Sequence, residues 1–79
     1  MKIETGRSYL KPDGSVVTIG GPTKRFPDSF AWSIQGDWYT WDGERVGYAI
    51  VHDDKGREVG GKHVVIPGPY LRDMEQTNE

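Results

Sequence analysis

The sequence predicts an all-β fold: a small antiparallel meander of five to six strands, barrel-like or a small sandwich, with a short C-terminal helix. A turn followed by a valine recurs at Asp13-Gly14-Ser15-Val16-Val17, Asp42-Gly43-Glu44-Arg45-Val46 and Lys55-Gly56-Arg57-Glu58-Val59. In each, glycine takes the positive φ of a tight hairpin and valine begins the returning strand. The unequal spacing of these units makes them hairpin ends of one sheet, not repeats of a solenoid or propeller.

The elements follow in order. Arg7 to Leu10 and Ser15 to Ile19 suit strands, joined by Lys11-Pro12-Asp13-Gly14, where proline presets φ and glycine takes the left-handed corner. Gly20-Gly21-Pro22 is expected to end this hairpin, because proline donates nothing to a ladder. Thr23 to Ser29 has no periodicity and reads as a connecting loop.

Phe30 to Ile34 alternates large and small, placing Phe30, Trp32 and Ile34 on one face. Gln35-Gly36-Asp37 turns the chain into Trp38-Tyr39-Thr40-Trp41, a strongly β-prone segment, and Asp42-Gly43 signals a two-residue hairpin. Arg45 to His52 returns, with Val46, Tyr48, Ile50 and His52 as the candidate core face. Asp53-Asp54-Lys55-Gly56 closes the next hairpin, and Gly60-Gly61 interrupts the strand that follows, as at a bulge or a close backbone approach. His63 to Ile66 is the last strand. Pro69 begins the expected helix, with Tyr70, Leu71 and Met74 as its apolar stripe. Residues 1–75 then form one β-rich domain, and 76–79 a frayed tail.

Length and composition narrow the function classes. A chain of 79 residues buries only about 60% of its unfolded surface, and with no cysteine it has no disulfide to staple it. Self-association into a homo-oligomer, or a bound ligand, is therefore expected to contribute stability. The absence of cysteine excludes a disulfide scaffold and a thiolate zinc site, and fits a reducing compartment. The opening Met1-Lys2-Ile3-Glu4-Thr5-Gly6 lacks the apolar stretch of a secretory signal, and no run approaches the roughly 18 apolar residues of a spanning helix. A cytoplasmic protein with no membrane partner is expected. A net charge of −2 with both signs interspersed argues against duplex nucleic acid as a partner and against an acidic mimic of it.

Among residues that could carry chemistry, the aromatic segment holding Trp32, Trp38, Tyr39 and Trp41 is the densest. Strand alternation sends Trp38 and Tyr39 to opposite faces, so one set is core and the other needs a ligand, a subunit or the helix to cover it. Aromatic faces stack on nucleobases while cations receive phosphates. The candidate ligand site is accordingly Trp38, Tyr39 and Trp41 with Lys24, Arg25, Arg45 and Lys62. Packing within core or interface is the competing role for the same aromatics.

His52, Asp53, Asp54 and His63 lack a metal-ligand spacing, since the residue opposite His52 falls near Arg57 or Glu58. The aspartates are turn formers. No serine sits in a nucleophile elbow, and Gly20-Gly21-Pro22-Thr23-Lys24 lacks the Walker spacing. No catalytic residue, metal or cofactor is expected.

The opening Gly6-Arg7-Ser8-Tyr9-Leu10-Lys11-Pro12-Asp13-Gly14-Ser15-Val16-Val17 resembles the start of many small uncharacterised proteins of bacteriophages and prophages. Trp38-Tyr39-Thr40-Trp41-Asp42-Gly43 and Tyr48 are similar to the later tryptophan-containing hairpin of that group. The resemblance implies an accessory phage protein acting in the host cytoplasm. It further implies a non-catalytic role: sequestering a host immune signalling nucleotide as a homo-oligomer in counter-defence. The alternative is a protein-interaction or virion accessory module that meets a host or phage protein.

Overall fold

A computed structural model describes residues 2–68 and 70–74. Seven antiparallel strands form one open sheet: β1 (Ser8–Leu10), β2 (Val16–Pro22), β3 (Phe30–Ser33), β4 (Trp38–Thr40), β5 (Arg45–His52), β6 (Glu58–Ile66) and β7 (Arg72–Asp73). Their order is β6-β5-β4-β3-β2-β1-β7. The all-β meander is as the sequence predicts, with more strands than the expected five or six and a linear, open order in place of a barrel or sandwich. The expected C-terminal helix is not seen: Arg72 and Asp73 pair with β1, and Leu71 is buried between exposed Tyr70 and Arg72, an extended alternation. Pro69, the expected start of that helix, and the tail 76–79 lie outside the described residues.

One turn design is used four times. Gly14 donates its N–H to Lys11 O, Gly36 to Ser33 O, Gly43 to Thr40 O and Gly56 to Asp53 O. In each case the first residue's N–H bonds the carbonyl four positions on, as from Thr40 to Glu44 at 2.8 Å. This is the three-residue hairpin loop, a tight turn followed by a left-handed residue, and the four glycines have φ of 90°, 103°, 94° and 81°. Asp42-Gly43 therefore belongs to a three-residue loop and not to the expected two-residue one, because only its glycine needs positive φ.

Two aspartates brace these loops. The Ser15 hydroxyl and N–H donate to Asp13, holding its carboxyl below the usual carboxylate range, and the N–H of Arg57 and then of Lys55 does so at Asp53. A carboxyl whose pKa is lower folded than unfolded adds stability above its ordinary value of 3.8, and that contribution is lost as pH falls through the folded value. Replacing both residues with alanine is expected to flatten the decline in stability below about pH 4. Urea midpoints compared across that range check this; an unchanged acid decline refutes it.

The core lies on the inner face. Tyr9 of β1, Val17 and Ile19 of β2, Ala31 of β3 and Tyr39 of β4 form one buried cluster with Ile3 and Leu71 from the two ends of the chain. The Ile3 N–H donates to Trp41 O at 2.9 Å and the Leu71 N–H to Gly43 O at 3.0 Å, so both terminal segments are tied to the β4–β5 corner. Tyr70 reinforces that tie by hydrogen-bonding Glu44, which raises its phenol pKa.

β2 does not stop at Gly20-Gly21-Pro22. It shifts register between Ile19 and Gly21 and continues to pair through Pro22 with Ala31. The reason is close approach: a Cβ on Gly20 would overlap the six-membered ring of Trp32. Gly60-Gly61 likewise bends β6 without ending it. The register shifts there, and a Cβ on Gly61 would run into the Tyr48 ring.

The expected core face of β5 is corrected at all but one position. Val46 is buried, whereas Tyr48, Ile50 and His52 are exposed, because β5 and β6 extend beyond the other strands as a two-stranded arm with no layer over it.

Candidate functional site: an aromatic cleft on the outer face

On the outer face the pairs Trp32↔Trp38, Trp38↔Val46 and Val46↔Val65 set a row across four strands. Residues directly opposite one another share a face, so this row places the large residues of β3 away from the core while small Ala31 and Ser33 face inward. Phe30 and Trp32 do share a face, the outer one; Ile34 lies beyond β3, exposed in the loop that follows.

At the centre the Trp38 indole stacks on the His63 imidazole, with centroids 4.2 Å apart and planes 17° from parallel. Phe26 and Phe30 pack against both rings, and Tyr48 meets His63 edge-on at 4.9 Å. Phe26 arrives from the loop between β2 and β3. Its N–H donates to the buried Thr23 hydroxyl, which itself donates to Phe30 O, and the Trp41 indole N–H holds Pro27 O at 3.0 Å. The loop is therefore fastened at both ends, and its aromatic residue is presented to the sheet.

Between this loop and the root of the arm lies a cleft of about 360 Å³, walled by Arg25, Phe26 and Phe30 on one side and by Tyr48, Lys62 and His63 on the other. The Tyr48 ring rests on Gly61 and is 60% exposed. Arg25 also sits over the Phe26 ring, 5.7 Å from its centroid. Among the described residues no carboxylate lines the cleft. The Arg25 guanidinium is thus left to an incoming anion and the rings to a planar group; Lys62, opposite Ala49, alternates with His63 and lines the cleft from the edge strand.

A second cleft of about 450 Å³ opens near the inner face, where Lys11, Asp13, Asp37 and Arg45 surround Tyr39 and Leu71. Although larger, it mixes both signs of charge, and Lys11 is already 3.9 Å from Asp37. Burial, and then the charge of Asp37, push the Tyr39 phenol above its ordinary pKa, so it stays neutral. Charge selection favours the smaller, outer cleft.

The structure divides the residues singled out in the sequence. Arg25 and Lys62 line the outer cleft, and Trp38 stacks on His63 in its wall. Tyr39 is buried at 3% exposure within the core and shares the inner cleft with Arg45. Trp41 packs against the core cluster, and Lys24 is exposed and lines neither cleft. Phe26, Phe30, Tyr48 and His63 were absent from the expected set. Tyr48 and His63 are directly opposite on β5 and β6 because the register shifts by one residue between Val51 and His52, whereas counting from the Asp53–Gly56 turn alone sets Tyr48 against Lys62; Phe26 sits in an aperiodic loop and leaves no signal of its own.

Against known proteins, no family model, no curated protein sequence and no solved structure matches this chain. Among the described residues no group of three histidines, cysteines or carboxylates is placed to hold a metal, and no helix is long and apolar enough to cross a membrane.

Proposed function

We propose that this is a non-catalytic binding protein whose outer cleft takes a planar, anionic ligand of the nucleotide class. The observation that carries the reading is the pairing of an exposed Tyr48 ring with the Arg25 guanidinium in a cleft that no carboxylate lines among the described residues. Stacking of a base on an aromatic ring is worth about 1–3 kcal/mol, and guanidinium contacts to phosphate add charge-assisted hydrogen bonds. The resemblance of the opening segment to phage accessory proteins supplies a setting: a host signalling nucleotide held intact and withheld from its receptor in the host cytoplasm.

Calorimetry against linear and cyclic nucleotides tests this. Arg25→Ala is expected to weaken binding about 10–100-fold, by loss of a charge-assisted bond, while Lys24→Ala leaves it unchanged. No heat across the panel overturns the reading, and so does loss of intact nucleotide during incubation. The second reading, a protein-interaction module, is favoured by the apolar arm, whose Tyr48, Ile50, Val59 and Val65 are all exposed.

A further inference from the structure

The inner cleft is separate from the outer one. The two share no lining residue, and the inner volume of about 450 Å³ is of the size that holds small molecules. Ile66, Pro67 and Leu71 give it an apolar part, and its charged residues are two bases, Lys11 and Arg45, with two acids, Asp13 and Asp37. These charges cancel, so neither a plain anion nor a plain cation is favoured there.

The four charges are not equally engaged. Asp13 is held by Ser15, and Lys11 reaches only one oxygen of Asp37, at the long end of ion pairing. Among the described residues Arg45 forms no ion pair, and Asp37 Oδ1 accepts no hydrogen bond. Tyr39 stands beside both. It is directly opposite Arg45 across β4 and β5; burial raises its phenol pKa, the Asp37 carboxylate adds to that rise and the Arg45 guanidinium opposes it, so both charges act on one hydroxyl. That hydroxyl has no hydrogen-bond partner among the described residues. Since no fully buried polar side-chain atom there lacks a partner, the hydroxyl is where this otherwise buried side chain meets solvent, in the cleft.

We propose that the inner cleft binds a free α-amino acid with an apolar side chain. Its carboxylate lies on the Arg45 guanidinium and the Tyr39 hydroxyl, its ammonium on Asp37, and its side chain against Ile66, Pro67 and Leu71. A zwitterion is the ligand whose own charges cancel as those of the cleft do. In an α-amino acid both charged groups sit on one carbon, so they must be received around one point, and Tyr39 provides it. The phenol stays neutral and keeps a proton to donate, while a guanidinium pairs with a carboxylate through two parallel hydrogen bonds. An anion without an ammonium group would set its charge against Asp37 and Asp13, and a wholly apolar ligand would strip water from Arg45 without replacing it. This site rests on the inner residues alone and not on the nucleotide reading.

Titration of the isotope-labelled full chain with L-leucine, followed by amide NMR, reads both affinity and place. The amides of Gly43, Arg45 and Leu71 are expected to shift and to saturate with a dissociation constant of about 1–10 mM, while Gly61 in the outer cleft does not move. Leucinamide lacks the carboxylate and N-acetylleucine lacks the ammonium; each is expected to bind at least about 10-fold more weakly. Arg45→Gln, at an exposed position, should weaken leucine about 10–100-fold, and Tyr39→Phe, which keeps the ring, about 5-fold. No saturable shift up to about 50 mM leucine overturns the proposal. So does either derivative binding as tightly as leucine, or an Arg45→Gln protein that binds leucine unchanged.

Discussion

Tyr9→Ala is expected to unfold a large part of the population at room temperature. Tyr9 is 1% exposed, pairs with Val17 across β1 and β2, and touches the short β7 through Asp73. Its hydroxyl accepts the Glu4 N–H at 2.8 Å, which fixes the path of the N-terminal segment that delivers Ile3 to the core. Truncating a buried aromatic costs about 3–5 kcal/mol, against about 4–12 kcal/mol of total stability for a chain of this size. Tyr9→Phe keeps the ring and loses only the hydrogen bond, about 1 kcal/mol. Urea denaturation followed by tryptophan fluorescence separates the two. A Tyr9→Ala midpoint equal to that of Tyr9→Phe would show that the core is not centred where the structure places it.

The second large effect is expected at Gly43. Its φ of 94° costs an L-residue about 1–2 kcal/mol, and its carbonyl receives the Leu71 N–H that ties the C-terminal segment to the β4–β5 corner. Gly43→Ala strains the loop and loosens that tie together, for a loss of about 2–3 kcal/mol and a fall in Tm of about 8–20 °C. Gly56→Ala provides the comparison. Its φ of 81° imposes a similar backbone penalty, but it sits at the free tip of the arm, where no terminal segment depends on it. Its Tm change is expected to be about half as large. Equal losses at the two glycines would mean that the Leu71 bond contributes nothing.

These two positions also show what the sequence makes legible. The glycine turns are local: four or five residues determine their geometry, so Gly14, Gly36, Gly43 and Gly56 all bend the chain where their neighbours suggest. Alternation tells which residues share a face. It does not tell which face will be covered. Phe30, Trp32 and Ile34 look like a core stripe, but Phe30 and Trp32 face outward because Tyr9 and Tyr39 already fill the inner side, where Ala31 and Ser33 fit, and Ile34 falls in the loop. The same ambiguity misplaces the β5 core face: Val46 lies over the body of the sheet, and Tyr48 and Ile50, in the same phase, lie beyond it. At the C-terminus, three apolar residues are too few to separate a helical period from an extended one.

The candidate site was legible to a similar extent. Arg25 and Lys62 do line one cleft, with Trp38 stacked on His63 in its wall, but Tyr39 and Trp41 are drawn inward because neighbours on a strand alternate. Phe26 depends on how a loop is fastened by Thr23, a contact invisible to periodicity.

The strand order carries a consequence for how the chain assembles. Every sheet pairing except that of β1 with β7 joins strands adjacent in sequence, so each step closes only a short loop and the entropy lost before contacts form is small. Hairpins can zip from any of the four corners. The pairing of Leu10 with Arg72 spans nearly the whole chain and must await the rest. That last closure acts as a latch: it contributes little to the rate of folding and mainly slows unfolding, because its contacts are the ones absent from the transition state.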